Sequence, residues 1–271
     1  MPFIKINESP LIPGTSPVVI HYRQYGTGTP LIFLHGGWGY QIYPFDKQIE
    51  AFSRDFRIII PDRTGYGRSM RIESQPTDFH RRAAIETSRL LDALGIDRAV
   101  LWGHSDGAVI SVLMGLEEPQ RFAGIILEAF HFFRFKPSSR EFFEAMAEDP
   151  LRLGERVANI LSREHGEDYW EKLIVINGHA WLNIANEARH PKDDLYDDKL
   201  GELSVPTLLI HGSRDPRTEP DELEAVHRAS PQARIHVIEG GGHSPHSESA
   251  AAAECNRVAG DFLREVTRAC H

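Results

Sequence analysis

Short apolar runs recur along this chain, and segments with helical periodicity separate them. Five of the runs are nearly continuous in Ile, Leu, Val and Phe, as strands are when helices cover both faces of a parallel sheet. Helical patterns at 80–94 and 108–117 fall between strand candidates, which is βαβ order. The pattern predicts an α/β fold with an open, doubly wound, mostly parallel sheet. The predicted strands are VVIHYRQY (18–25), PLIFLHG (30–36), RIIIPD (57–62), AVLWGH (99–104), GIILEAF (124–130), PTLLIHG (206–212) and RIHVIEG (234–240).

One interval of about 75 residues interrupts this alternation, between the fifth and sixth predicted strands. It has helical periodicity and aromatic residues, and its only strand-like stretch, LIVI (173–176), lies within a helical pattern. A crossover connection needs far fewer residues, so the interval is an insertion that packs over something. We predict a helical cap at 131–200, inserted into a core formed by 1–130 and 201–271.

Composition narrows the range of partners and locations. The 271 residues carry a net charge of −9 with no dense Lys/Arg cluster, which argues against nucleic acid as a partner. No apolar run approaches the roughly 20 residues that span a bilayer, so no membrane contact is expected. The segment at 1–15 resembles neither a signal peptide nor a transit peptide, which predicts a cytoplasmic location. The sequence gives no prediction of the oligomeric state.

The stretch LWGHSDGAV (101–109) holds one serine between two glycines, directly after an apolar strand and before a helical pattern. In that context G-x-S-x-G bends the chain sharply, and the serine Oγ projects above the sheet. Gly103 and Gly107 are then required because strand and helix pass too closely for side chains. The motif predicts that Ser105 is a nucleophile.

A serine hydroxyl needs a base, and the base needs an orienting acid. In this architecture the acid and then the histidine follow the serine along the chain. HGSRDP after the sixth predicted strand supplies Asp215, and GGGHSPH after the last strand supplies His243. Two alternatives remain open: His246 as the base, although a surface or pocket-rim position is expected for it, and Glu128 as the acid.

A glycine-rich loop, HGGWG (35–39), follows the strand LIFL and can expose backbone amides. A tetrahedral intermediate needs such donors for its oxyanion. We expect the amides of Gly37 and of Asp106 to supply them, with His35 supporting the loop. Trp38 is expected to form a wall of the substrate pocket.

No cofactor or metal is predicted. The stretch DRTGYGRS (62–69) lacks the third glycine of a dinucleotide fingerprint and the G-K-[ST] of a P-loop, which favours a structural turn. The histidines of HSPH (243–246) have no carboxylate or helix that would complete a zinc-binding pattern.

With these motifs in this order, the chain resembles the α/β-hydrolase superfamily over nearly its whole length. The GHSDGA elbow, the cap segment EHGEDYWEKL (164–173), HGSRDP and GGGHSPH resemble the biphenyl-hydrolase-like serine esterases. The resemblance implies a serine hydrolase that cleaves a small carboxylic ester or related acyl compound. It also implies that Asp106 engages a substrate amine; the structural alternative is a carboxylate that accepts backbone hydrogen bonds below the elbow.

The cap is expected to set specificity. The segment FHFFRF (130–135) and the tryptophans Trp170 and Trp181 offer aromatic surface, much of which packs cap against core. Phe130 and Trp38 are the predicted substrate neighbours. Other possible functions are C–C bond hydrolysis or enol-lactone hydrolysis in aromatic catabolism, and a receptor that binds its ligand without turnover. Meta-cleavage hydrolases usually carry Asn before and an apolar residue after the serine, unlike this chain.

Overall fold

One eight-stranded sheet organises the structure, a computed structural model that describes residues 2–268. Strands β3 to β8 pair in parallel, whereas β2 runs antiparallel to β4 and β1 antiparallel to β2. The spatial order is β1-β2-β4-β3-β5-β6-β7-β8. This sheet confirms the predicted α/β class. The strands are β1 (Phe3–Ile6), β2 (Val18–Tyr25), β3 (Thr29–Leu34), β4 (Phe56–Pro61), β5 (Ala99–His104), β6 (Phe122–Glu128), β7 (Thr207–Gly212) and β8 (Arg234–Ile238).

Eight helices accompany the sheet within the described residues: α1 (Asp46–Phe52), α2 (Phe79–Ala93), α3 (Asp106–Glu117), α4 (Arg140–Glu148), α5 (Glu155–His165), α6 (Trp170–Glu187), α7 (Glu222–Ala229) and α8 (Ala252–Arg268). Within residues 2–268, none of them combines the length and the apolar character needed to cross a membrane.

The apolar runs are continuous because both faces of the sheet are covered. In β3, Ile32 and Leu34 join the hydrophobic cluster that includes residues of α2 and α3. Leu31 and Phe33 point the other way and join the cluster that includes residues of α1 and α8. All four side chains are buried. Alternate residues of one strand therefore build two separate cores.

Helices α4, α5 and α6 all lie between β6 and β7, in the interval predicted to be a cap. The chain leaves and re-enters the core side by side, where Phe133 and Asp194 form an isolated antiparallel bridge. Phe143 of α4 and Trp181 of α6 stack with ring centroids 5.2 Å apart, and both belong to the same hydrophobic cluster as α2 and α3. The stretch 173–176 is helical, within α6. The exact limits 131 and 200 stay a prediction.

Strand ends differ from the prediction at two functional points. Strand β3 stops at Leu34, two residues before the end of the predicted run 30–36, and the glycine-rich loop begins at residue 35. Strand β6 covers Phe122–Glu128 and stops before Ala129, which adopts φ 51°. A left-handed alanine is uncommon and turns the chain out of the sheet. The short strand β1 was not predicted, because four residues give too little periodicity.

Candidate active site

The loops after β5, β7 and β8 meet at the carboxyl edge of the sheet, where open α/β folds bind ligands. Ser105 follows β5 and has φ 55° and ψ −119°, and α3 begins at the next residue. A Cβ atom on Gly103 would lie 2.1 Å from the carbonyl oxygen of Gly107, and one on Gly107 would lie 2.0 Å from that of Leu34. Both glycines are therefore required by close backbone contact, as the motif predicted.

Three side chains form a hydrogen-bonded chain at this edge. Ser105 Oγ lies 3.2 Å from Nε2 of His243. His243 Nδ1 lies 2.9 Å from Oδ1 and 3.0 Å from Oδ2 of Asp215. Because a carboxylate can only accept, Nδ1 carries the proton, and Nε2 accepts the proton of the serine hydroxyl. The structure thus brings together the three residues that the sequence placed on separate loops.

Asp215 is held as an ionised carboxylate. Burial alone would raise its pKa, but the hydrogen bond and charge of His243 outweigh burial and lower the pKa below its ordinary value. The backbone amide of Arg217 adds a hydrogen bond of 2.8 Å to Oδ1, and the charge of His211 acts in the same direction. An acid that stays ionised at neutral pH can stabilise an imidazolium at His243.

The alternative acid, Glu128, lies against a different histidine. Its Oε1 accepts from both the amide and Nδ1 of His246, each at 2.8 Å, and its Oε2 accepts from the indole of Trp102 at 3.1 Å. His246 is fully buried, and its Nε2 donates to the carbonyl of Tyr43 at 3.0 Å. The expectation of a surface or pocket-rim His246 is wrong, because this buried pair ties the loop after β8 to the end of β6.

The glycine loop packs directly on the elbow. A Cβ atom on Gly36 would lie 3.1 Å from the Cβ of Ser105, and one on Gly37 would lie 2.9 Å from Oδ2 of Asp106. His35 Nδ1 donates to the carbonyl of Gly36 at 2.8 Å, which fixes the peptide whose N–H belongs to Gly37. The amide of Asp106 is the first of α3, where N–H groups have no acceptor within the helix.

His35 can hold that peptide because it is neutral. Burial, together with the charge of Arg63, lowers its pKa from 6.5 to about 3. Its Nδ1 then donates while its Nε2 accepts from the amide of Arg63 at 3.3 Å. On the cap side, Asn177 of α6 donates to the carbonyl of Gly37 at 2.6 Å. The loop is therefore fixed from both the core and the cap.

Asp106 is 2% exposed and is surrounded by side chains. Its Oδ1 accepts from Nε2 of His80 at 3.2 Å and from the indole of Trp181 at 3.1 Å. Arg63 lies 3.8 Å from Oδ2, which has no hydrogen bond. Burial would raise the pKa of Asp106, but His80, Arg63 and Trp181 outweigh it and lower the pKa. The expected backbone hydrogen bonds below the elbow are replaced by these side-chain contacts.

A cleft of about 510 Å³, part of it open to solvent, lies above Ser105. Its walls combine apolar side chains from the cap with polar groups from the core, as small-molecule sites do. The cleft is lined by Gly36, Gly37, Trp38, Tyr43, His104, Ser105, Asp106, His131, Phe142, Phe143, Met146, Asn177, Trp181, Arg217 and His243. Trp38 lies in the wall, where the sequence analysis placed it.

The structure does not place Phe130 at this cleft, so its prediction as a substrate neighbour is corrected. Phe130 is 3% exposed and stacks on Tyr196, with ring centroids 5.4 Å apart. The left-handed turn at Ala129 is the cause, because it redirects the chain after β6. As a result the next residue, His131, reaches the cleft instead.

His131 was missed by the sequence analysis. Its Nε2 lies 3.2 Å from Ser105 Oγ, so two imidazoles contact the same oxygen. Since the serine proton points to His243, Nε2 of His131 must donate its own proton to Oγ. Burial first, and then the charge of Lys136, hold the pKa of His131 well below its ordinary value, which keeps the ring neutral. Its position directly after a predicted strand could have indicated a site residue, because ligands bind at the carboxyl ends of the strands in open α/β sheets.

In the part of the chain that the structure describes, no group of three or more His, Cys, Asp or Glu side chains is arranged to hold a metal ion.

Comparison with known proteins adds independent information. The model of the alpha/beta hydrolase family matches residues 31–257. The serine hydrolase BPHL of Homo sapiens is 25% identical over 251 residues, which cover 91% of this chain and 84% of that protein. A 2-hydroxy-6-oxo-6-phenylhexa-2,4-dienoate hydrolase of Burkholderia cepacia is 30% identical over 291 residues, with 96% and 95% covered. A solved esterase from Thermogutta terrifontis matches with a TM-score of 0.74 at 24% identity, covering 98% of this chain and 99% of its own.

Proposed function

Because the chain belongs to the alpha/beta hydrolase family, we propose that it is a serine hydrolase that cleaves a small carboxylic ester or related acyl compound. The observation that carries this proposal is the hydrogen-bonded chain from Ser105 Oγ through His243 to Asp215, at the floor of a largely apolar cleft. Each contact has the direction that nucleophilic catalysis requires.

In the acylation step, Ser105 Oγ forms a bond to the substrate carbonyl carbon while its proton passes to Nε2 of His243. Asp215 stabilises the imidazolium that results. The carbonyl oxygen becomes an oxyanion, and the amides of Gly37 and Asp106 donate to it. The tetrahedral intermediate collapses, the bond to the leaving oxygen breaks, and His243 returns the proton to that oxygen.

Deacylation repeats these steps with water. His243 accepts a proton from the attacking water, the second tetrahedral intermediate forms at the same oxyanion site, and Ser105 leaves as a hydroxyl. His131 has a positioning role in this scheme. Its N–H occupies one lone pair of Oγ in the resting enzyme, so the hydroxyl proton is directed to His243 and not elsewhere.

Asp106 is proposed to hold the cap on the elbow, because its Oδ1 already accepts from Trp181 of α6. A substrate amine, as the family resemblance implied, would have to bind at Oδ2, the oxygen without a hydrogen bond. Amino-acid esters tested against wild type and Asp106→Asn decide this point. A preference for cationic esters that survives in the neutral variant would rule out the amine contact.

Steady turnover tests the reaction itself. Wild type is expected to release p-nitrophenol from p-nitrophenyl hexanoate over many cycles, and Ser105→Ala is expected to lose that turnover. A single burst with a persistent acyl adduct would indicate a receptor, and no release at all would contradict the proposal.

The named relative from Burkholderia cepacia makes C–C bond hydrolysis the second candidate. The two residues beside the nucleophile argue against it. Meta-cleavage hydrolases usually carry Asn before the serine and an apolar residue after it, whereas this chain has His104 and Asp106. His104 is also not free to act on substrate, because its Nε2 lies 3.0 Å from the carbonyl of His243. Cleavage of 2-hydroxy-6-oxo-6-phenylhexa-2,4-dienoate faster than of any ester would reverse this order.

A further inference from the structure

Arg217, a cation that has no ionic partner among the described residues 2–268, lies in the wall of the cleft. Arg217 follows Asp215 by two residues in the loop after β7, and its half-buried side chain lines the cleft above Ser105. The guanidinium carbon lies 3.1 Å from the centroid of the Phe142 ring on α4. The charged end is therefore positioned between the core loop and the cap helix, facing the space where substrate binds.

The charge of Arg217 is not balanced by the protein. Among residues 2–268, no carboxylate forms an ion pair with its guanidinium, and none of its side-chain N–H groups donates a hydrogen bond; its interaction with Phe142 is a cation–π contact. The nearby Asp215 uses its oxygens for His243 and for the amide of Arg217. Burial lowers the pKa of Arg217, and Tyr43 and Asp215 offset this only in part.

The other charged group in the wall is already balanced. Asp106 accepts hydrogen bonds from His80 and Trp181, and Arg63 lies 3.8 Å from its second oxygen. Arg217 thus leaves several N–H donors and a full positive charge directed at the cleft, since guanidinium groups stay protonated in proteins. A partly desolvated cation without a partner is unfavourable, and a carboxylate matches its forked donors best.

We propose that Arg217 binds a carboxylate of the substrate, so that the compound cleaved is an anionic ester or lactone with an apolar segment between its carboxylate and the reacting carbonyl. This inference rests on the proposed function for its chemistry, but its binding component can be measured without turnover. The carboxylate belongs either to the acyl part or to the leaving group, and the two sources need separate probes.

Two pairs of esters provide the test, each matched except for one carboxylate. The p-nitrophenyl half-ester of adipic acid is compared with p-nitrophenyl hexanoate, and p-carboxyphenyl hexanoate is compared with its methyl ester. The first pair places the charge on the acyl part and the second on the leaving group. The quantity measured is the ratio of kcat/KM for the anionic ester to that for the neutral ester.

In wild type we expect this ratio to favour the anionic ester in one pair, which identifies the source of the carboxylate. In Arg217→Gln the same ratio should fall by about tenfold to a hundredfold, the usual range for a charge-assisted hydrogen bond. Arg217→Lys keeps the positive charge but lacks the forked N–H donors, so its ratio should lie between those of wild type and Arg217→Gln. Arg214→Gln removes an equal charge from an exposed side chain of the same loop and should leave the ratio unchanged.

Equal loss on all four esters in Arg217→Gln would overturn the inference, because it is the result expected if Arg217 only holds Phe142 and the cap in place. Unchanged ratios would overturn it too. Calorimetric binding of the same esters to Ser105→Ala separates the two claims. Tighter binding of the anionic ester there, without turnover by wild type, would refute the proposed reaction and leave this site standing.

Discussion

Replacing Asp215 with Asn tests the orienting acid with a change of almost no volume. Oδ1 accepts from the amide of Arg217 at 2.8 Å, so the carbonyl oxygen of the new Asn is expected to take that position. The Asn amide group would then face Nδ1 of His243, which today lies 3.0 Å from Oδ2. An NH₂ group donates and cannot accept, so Nδ1 keeps only the acceptor at Oδ1, from which it lies 2.9 Å. The tautomer with the proton on Nε2, which cannot accept from Ser105, then competes with the productive one.

The size of the effect follows from two contributions. A carboxylate and an imidazolium with charge centres about 4 Å apart attract each other by about 4 kcal/mol at the effective dielectric of a protein surface. Restoring the productive tautomer adds about 1 to 2 kcal/mol, comparable to one hydrogen bond. Together these contributions of about 5 to 6 kcal/mol predict a fall in kcat of about four-thousandfold to twenty-thousandfold, at about 1.4 kcal/mol per factor of ten.

The assay is steady-state hydrolysis of p-nitrophenyl hexanoate, with thermal unfolding measured on each variant. Glu128→Gln is the matched control, since Glu128 is an equally buried carboxylate that also pairs with a histidine. We expect the control to lose stability but less than about tenfold in kcat at a temperature where it is folded. Asp215→Asn with more than about a tenth of wild-type kcat, or a larger loss in the control, would refute the assignment.

Three further predictions concern the surroundings of this chain. His131→Leu should lower kcat about threefold to tenfold without moving the inflections of the pH–rate profile, because the lost hydrogen bond comes from a neutral ring; a moved inflection would contradict this. Gly37→Ala should lower kcat by about tenfold or more with little change in KM, since its Cβ would lie 2.9 Å from Oδ2 of Asp106; a KM effect alone would argue against an oxyanion role. The free energy of unfolding, measured by chemical denaturation, should fall from about pH 7.5 to about pH 5.5. His35, His104 and His165 have pKa values of about 3, 3 and 4, so below pH 6.5 the unfolded chain binds protons that the folded protein does not. Burial also lowers the pKa of His80, His131 and His211, which act in the same direction. Glu164, whose pKa burial raises to about 7, offsets only part of this loss. A stability that rises on acidification would contradict the last prediction.

The sheet was predictable because burial on both faces leaves a direct mark on the sequence. Strands β2 and β5 occur at the predicted residues, and the insertion between β6 and β7 is helical. The elbow was predictable for a related reason: Gly103 and Gly107 are required by backbone contacts so close that no other residue fits. Local constraints of this kind can be recognised without knowing the rest of the fold.

What the sequence did not reveal depends on single torsion angles and on distant partners. The positive φ of Ala129 cannot be recognised from the residue type, yet because of it His131 lines the cleft where Phe130 was predicted. The burial of His246 follows from its pairing with Glu128, which is 118 positions away. Neither a single torsion angle nor a contact between distant residues can be predicted from the spacing of residue types along the sequence.

Covalent labelling shows whether Ser105 is a nucleophile that His243 activates. Wild-type protein is treated with a fluorophosphonate, and the modified peptide is located by mass spectrometry. We expect one adduct per chain, located on Ser105, with labelling abolished in Ser105→Ala and strongly slowed in Asp215→Asn. An adduct on any other residue would show that Ser105 is not the nucleophile, and labelling that proceeds equally fast in Asp215→Asn would show that the residues from Asp215 to Ser105 do not act together.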